Sequence, residues 1–259
     1  MARSIQERYP ELLHFREEGM AKVGARFVDQ IERPRSRCFF PMVLPRGRAT
    51  SLPSVQVGPL RVSAVGGSMI LAADAVSGAG PLRVLDIGCA GGRFRDYLRL
   101  RYPDRAIQYV GVDVAPPDVD FPVYRSISEI DESGFDLVLM SEVAEHMPAD
   151  VFLYEYLAKV APLLASDGTM VVGVPNPLAP TILDRDVTHI QHYPWFDLYA
   201  LIRFFFKEAH VVRTRFIHTP RRLLSLPFRI LISYLLEFDW CEGLTVVAKM
   251  PQPPPIDDK

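Results

Sequence analysis

Cysteine is scarce: Cys38, Cys89 and Cys241 are the only three, and they lie far apart in the 259 residues. An odd, scattered set without a CxxC pair excludes a disulfide framework and a zinc knuckle, and reads as reduced thiols. Excess charge of one sign is also lacking, since 29 Lys and Arg face 31 Asp and Glu. That near balance removes the global attraction for nucleic acid or anionic lipid, although a local basic patch is still allowed. Long apolar runs are missing too. The most apolar stretch, 223–238, is interrupted by Pro227 and Arg229 and falls short of the ~20 residues that span a bilayer. The first 18 residues are charged throughout and hold no apolar secretory core. The expectation is a cytoplasmic protein without an integral membrane segment. Its length suits one large α/β domain plus an appendage, stable without disulfides or structural metals.

What is present is a regular alternation in the middle of the chain. Residues 83–87, 109–114, 135–140 and 168–174 are short, apolar and rich in β-branched residues, so they read as buried strands. Helical segments are expected at 93–101 and 150–164. Residues 209–216 and 244–248 read as two final strands flanking a helix at 221–236. Residues 196–206 read as a further helix, which Trp195 and Phe196 either begin or leave free to wall a pocket beside Tyr193. Apolar strands alternating with helices imply a doubly wound, mainly parallel sheet. Ahead of it, 1–32 has helical spacing divided by Pro10 and Gly19. Residues 33–60, rich in proline and arginine, read as irregular structure or short strands. A helix from Ser68 to Ser77 follows, with Ser68 as its expected N-cap. The expected division is 1–75, a helical and irregular extension serving as a candidate substrate lid; 76–250, the ligand-binding domain; and 251–259, a Pro-rich acidic disordered tail.

The first strand of the regular region runs into Asp86-Ile87-Gly88-Cys89-Ala90-Gly91-Gly92. Glycines here let the chain turn sharply and bring bare backbone against a ligand. The loop is not GxGxxG, and its acid precedes the glycines. A carboxylate there repels a pyrophosphate and suits a cationic ligand. Asp113, ending the next strand, is placed to accept hydrogen bonds from a ribose.

VLDIGCAGGRF, VGVDVA, FDLVLMSEVAEHM and GTMVVGVPNP, in this order and spacing, together resemble the class I S-adenosylmethionine-dependent methyltransferases, most closely the group with an EVxEH-like fourth strand end. The resemblance covers roughly residues 80–250. It implies a Rossmann-like α/β fold, a mainly parallel seven-stranded sheet with helices on both faces, and S-adenosylmethionine as cofactor. It carries cofactor contacts onto Asp86, Gly88, Cys89, Ala90, Gly92, Asp113, Val114 and Ser141. Two departures stand out. Ala90 replaces a common glycine, a mild change if its dihedrals are ordinary. The segment 124–128 lacks the acid that often meets adenine.

At the next strand end, Glu142, Glu145 and His146 share a short segment, and Asp186 to Tyr193 later adds His189 and His192. A helical turn after Glu142 would put both glutamates on one face with His146 adjacent. Two carboxylates and imidazoles can hold a divalent ion such as magnesium or serve as base. The set is similar to that of the metal-assisted catechol O-methyltransferases of ubiquinone synthesis and of the small-RNA 3′-terminal methyltransferases. That likeness implies Glu142, Glu145, His146 and His189 as ligands. Related enzymes carry an EVxEH segment with no metal, the histidine only orienting neighbours, so both readings stand. The catalytic expectation is His146, His189 and Glu142, whereas His210 and His218 read as structural and His14 as remote from the chemistry. The expected partner is a small-molecule acceptor, most simply an oxygen. An RNA acceptor and a non-catalytic cofactor-binding partner protein are the alternatives, and the chain is expected to be a monomer or homodimer. Arginines at 33, 35, 37, 46 and 48 form either an anion-binding lid or a solvated loop. The 221–236 segment, with arginines among leucines, either packs on the sheet or docks on a membrane surface or partner.

Overall fold

The computed structural model describes residues 66–177, 179, 187–212 and 243–252, the backbone of 40–43, 55–57, 60–63 and 213–214, and positions 15, 17, 224, 225, 227, 228 and 231. Three short strands come first: β1 (Phe40–Val43), β2 (Val55–Val57) and β3 (Leu60–Ser63). They form a small sheet in which β3 pairs parallel to β1 and antiparallel to β2. Of the two readings for 33–60, short strands hold at these positions.

Helix α1 (Gly67–Ala75) leads into the main sheet. The order along the chain is then β4 (Leu82–Ile87), α2 (Arg93–Arg101), β5 (Ile107–Val112), β6 (Val123–Tyr124) and β7 (Phe135–Ser141). A helical segment, α3, spans 149–163 with a π-helical middle at Phe152–Leu157. It is followed by β8 (Leu164–Pro175), α4 (Trp195–Arg203), β9 (Phe206–Thr214) and β10 (Gly243–Pro251). The seven strands lie in the order β6-β5-β4-β7-β8-β10-β9. β10 alone runs antiparallel, pairing with β8 on one side and β9 on the other. The expected seven-stranded, mainly parallel Rossmann-like sheet is therefore the fold.

Side-chain alternation explains why the central strands read as unbroken apolar runs. In β7, Val138 and Met140 face one way and Leu137 and Leu139 the other, and both sets are buried. The first face packs Phe152 and Leu157 of α3 and Leu198 and Ile202 of α4. The second packs Ile70 and Ala73 of α1 and Phe94, Tyr97 and Leu98 of α2. Each fully buried aliphatic residue here contributes about 2 kcal/mol through apolar burial, so Leu139→Asp would open one layer.

Several expectations change. Gly66, not Ser68, is the N-cap of α1, and no side chain caps it. The Ser68 hydroxyl instead meets Ser141 Oγ at 2.5 Å. The helix expected through residue 206 ends at Arg203, and Phe206 opens β9. Trp195 begins α4, so it belongs to the helix. The helices expected within 1–32, the basic segment 33–48 outside β1, the helix at 221–236 and the tail 253–259 lie outside the described residues, apart from isolated positions. Among the described residues, no helix is long and apolar enough to cross a membrane.

Candidate active site

Strand β4 lies between β5 and β7, and the chain winds away from it in both directions. In open α/β sheets, the carboxyl ends of strands at such a switch point form the ligand crevice. Three segments meet there: the loop 88–92 after β4, the segment after β5, and the turn after β7.

The loop is tied down from β5, since Gly88 and Cys89 both donate to the Val112 carbonyl, at 2.7 and 3.3 Å. Gly88 (φ +76°) and Gly92 (φ +75°) are left-handed, a conformation that disfavours a Cβ. Each is also closely overlaid. A Cβ on Gly88 would stand 2.3 Å from Val143 Cγ2, and one on Gly92 would stand 2.5 Å from Phe121 Cε1. The loop is thus pressed between the segments that follow β7 and β5. Ala90 corrects an expectation, because its dihedrals are not ordinary: φ is +41°. An L-residue held there costs about 1–2 kcal/mol. Its N–H donates to Asp113 Oδ2 at 3.0 Å, which holds the strained residue in place.

Asp113 lies immediately beyond β5, half-buried, with its second oxygen accepting from the Ala115 N–H at 3.0 Å. Both oxygens retain lone pairs for a further donor. Val114 beside it is exposed. Asp86 lies beneath the loop, only 4% exposed, and accepts a hydrogen bond from the Tyr109 hydroxyl. Burial pushes its carboxyl up to about 7, opposed by the Tyr109 bond and reinforced by Asp113. Burial and the same two carboxylates push the buried Cys89 thiol up to about 12, so it is a packing group and not a nucleophile.

On the opposite side, Ser141 ends β7 against Gly173 of β8. Glu142 follows with φ +57°, its N–H bound to the Gly173 carbonyl at 2.8 Å. A left-handed glutamate at the carboxyl end of a central strand is a strained position of the kind found at functional sites. Its residue surface is exposed, yet desolvation by the protein around the carboxyl pushes it up to about 7, with Glu145 adding and His146 opposing. The chain then makes a 3₁₀ turn, Ala144–His146. Glu145 is buried and His146 exposed.

The later segment returns to this turn. Ile190 and Gln191 donate to the Glu145 carbonyl at 2.9 and 3.1 Å. His189 Nε2 comes within 3.9 Å of Glu145 Oε1, and the two imidazole rings of His146 and His189 lie 4.8 Å apart. His146 Nδ1 contacts the Thr188 hydroxyl at 3.0 Å and its carbonyl at 3.2 Å. With Nδ1–H donated to that carbonyl, Nε2 is the nitrogen left for chemistry. Glu145, His146 and His189 each offer a ligand atom within 4.8 Å of the others. Glu142 stands outside this group of three, because the helical turn expected to align it with Glu145 begins only after Val143. His192 is exposed and also outside it. The Tyr193 ring is buried and packs edge-on against Phe152, with centroids 5.4 Å apart.

Four neighbours were not singled out from sequence: Tyr109, Phe121, Val143 and Thr188. Tyr109 carried a readable signal, because residues 109, 111 and 113 share one face of a strand. Val143 and Phe121 act through packing on bare glycines, which no residue pattern announces.

The model of the family described as "Methyltransferase domain" matches residues 12–211. The chain belongs to that family, the class I S-adenosylmethionine-dependent methyltransferases. Among solved structures, it is similar to an S-adenosylmethionine-dependent methyltransferase from Archaeoglobus fulgidus, at 20% identity and TM-score 0.50, covering 66% of this chain and 87% of that one. It is also similar to Burkholderia thailandensis 1,6-didemethyltoxoflavin-N1-methyltransferase with bound 1,6-didemethyltoxoflavin and S-adenosylhomocysteine, at 20% identity and TM-score 0.48, covering 72% and 79%. Phosphoethanolamine N-methyltransferase 2 of Haemonchus contortus, in complex with S-adenosyl-L-methionine, matches at 15% identity and TM-score 0.47, covering 73% of this chain and 53% of that one. No curated protein matches the sequence.

Proposed function

We propose that the chain transfers the methyl group of S-adenosylmethionine to an oxygen of a small-molecule acceptor, such as a secondary metabolite or a cofactor, lipid or sugar precursor. The observation that carries this reading is the convergence of Glu145, His146 and His189 within 4.8 Å. Glu145 and His146 lie in the turn after β7, whose Val143 overlies Gly88 of the glycine loop, and His189 reaches them from the segment after β8. In this reading the 88–92 backbone, with Gly88, Cys89, Ala90 and Gly92, lines the amino-acid portion of the cofactor. Asp113 accepts from its ribose, Val114 offers apolar surface to the base, and Asp86 and Ser141 flank the cationic portion.

The acceptor oxygen attacks the methyl carbon in line, the carbon–sulfur bond breaks, and its electron pair stays on sulfur. The site has to hold oxygen and methyl at about 3 Å and remove the acceptor's proton. Glu142, with its carboxyl pushed up to about 7, suits that proton transfer. His146 Nε2, oriented through Thr188, is the second candidate base, and His189 the third.

The three-residue group also fits a divalent cation. Two imidazoles and a buried carboxylate are common ligands of a divalent metal ion, and here their ligand atoms lie within 4.8 Å of one another. When bound by Glu145, His146 and His189, with Glu142 nearby, such an ion would increase the acidity of the acceptor hydroxyl. The net charge of −2 argues against an RNA acceptor.

The test is calorimetric binding of S-adenosylmethionine and S-adenosylhomocysteine, followed by labelled-methyl turnover on catechols and sugars and on short RNAs, with and without EDTA. Binding plus small-molecule turnover supports the reading. Turnover confined to RNA replaces the acceptor class, and full activity after exhaustive chelation removes the ion. Binding of both ligands without turnover of any acceptor favours a partner protein. Preference for a nicotinamide dinucleotide or a nucleoside triphosphate would overturn the whole proposal.

A further inference from the structure

One face of β5 is given over to the glycine loop. Residues 109 and 111 of that face, and 113 just beyond the strand, each meet that loop or its base in a different way. Asp113 holds the Ala90 N–H. Gly111 must stay bare, because a Cβ there would stand 2.5 Å from Cys89 Sγ and 3.1 Å from Phe121. Tyr109 reaches diagonally to Asp86, which is paired with Gly111 across the β4–β5 ladder. Both partners of that bond are buried, at 5% and 4% exposure.

The Tyr109 ring is itself held. It packs edge-on against Phe121, with centroids 5.0 Å apart and planes at 84°. Phe121 lies over Gly92 and beneath the Arg95 guanidinium, whose carbon is 4.9 Å from the ring centroid. Arg95 is fixed in turn by a two-pronged contact with Asp120, one prong at 2.9 Å. A hydroxyl placed this firmly serves a carboxylate whose own position matters.

We propose that Tyr109 is a positioning residue for cofactor binding: its donated hydrogen bond aims the Asp86 carboxyl beneath the glycine loop and favours the charged form that a cationic ligand needs. The proposal rests on the S-adenosylmethionine reading above. A hydrogen bond to the charged form favours that form, while burial opposes it. The titratable groups that face Asp86 are Tyr109 from β5, Asp113 just beyond it, and Cys89 from the loop. Arg95 faces Tyr109 from α2. The β7 residues paired with β4, Leu137 to Met140, carry none.

Tyr109→Phe removes one oxygen and keeps the ring that packs on Phe121. Affinities for S-adenosylmethionine and S-adenosylhomocysteine would be measured by calorimetry between pH 5.5 and 9, where loss of the ligand's α-amino proton above about pH 8 affects every variant alike. In the unaltered protein, affinity should rise with pH until Asp86 is ionised, near 7. In Tyr109→Phe the rise should move about one pH unit higher, leaving affinity about tenfold weaker below pH 7 and nearly equal at pH 9. Asp86→Asn should flatten the profile, and adding Tyr109→Phe to it should change nothing further. Equal weakening at every pH, or an unmoved profile, would overturn the positioning role. Failure of the unaltered protein to bind either ligand would instead remove the cofactor reading beneath it.

Discussion

Replacing Gly88 with alanine adds one methyl group to the crevice, and its cost divides into two parts. The first is conformational: an L-residue at φ +76° loses about 1–2 kcal/mol. The second is steric, because the new Cβ would stand 2.3 Å from Val143 Cγ2. Val143 is branched and half-buried at the turn leading to Glu145, so it cannot swing away as a long surface side chain would. Overpacking of this kind costs about 1–3 kcal/mol. Gly88→Ala should therefore destabilise by roughly 2–5 kcal/mol. Val143→Ala removes the offending methyl and leaves its Cβ at 3.6 Å, an ordinary contact. In the double variant the steric part should vanish and the conformational part remain, a favourable coupling of about 1–3 kcal/mol. Urea denaturation of the four proteins completes the cycle, provided the denaturant slope is unchanged. Additivity within about 0.5 kcal/mol would refute the claim that the turn after β7 presses on the glycine loop.

Asp113→Ala removes the acceptor of the Ala90 and Ala115 N–H groups together with the proposed ribose acceptor, so cofactor affinity should fall about tenfold; unchanged calorimetry would dismiss the ribose role. Asp86 loses its proton near pH 4 in the unfolded chain and near 7 in the folded one. The folded state thus binds more protons between those values, and stability falls as pH rises through the window. Asp86→Asn should remove up to about one proton's worth of that fall. A variant whose stability profile overlays the original across pH 4–7 would contradict the burial argument.

The sheet was legible because parallel strands buried on both faces must be apolar throughout, as in Val84-Leu85 and Leu137 to Met140. Their positions followed from composition alone, with ends off by a few residues. The antiparallel insertion of β10 was not legible. A strand of type Leu-Thr-Val-Val-Ala looks the same at an edge or between two partners, and only long-range pairing decides. At the site, Asp113 and the glycines were readable because each is tied to one backbone requirement. The left-handed Ala90 and Glu142 were not, since neither residue type signals positive φ. The alignment of Glu142 with Glu145 failed for a related reason: the strained residue uses up the turn that would have stacked them. Ser68 looked like a cap by its place in the sequence. Its hydroxyl found a closer partner in Ser141, across a gap that only the packing of α1 on the sheet creates.

The antiparallel strand has a consequence for assembly. Because β10 fits between β8 and β9, β9 can pair only after residues 243–251 have been made. A nascent chain that has emerged through residue 214 carries a five-stranded sheet whose β8 edge is open and apolar. Until the late strand arrives, β8 is the edge most at risk of pairing with the wrong partner.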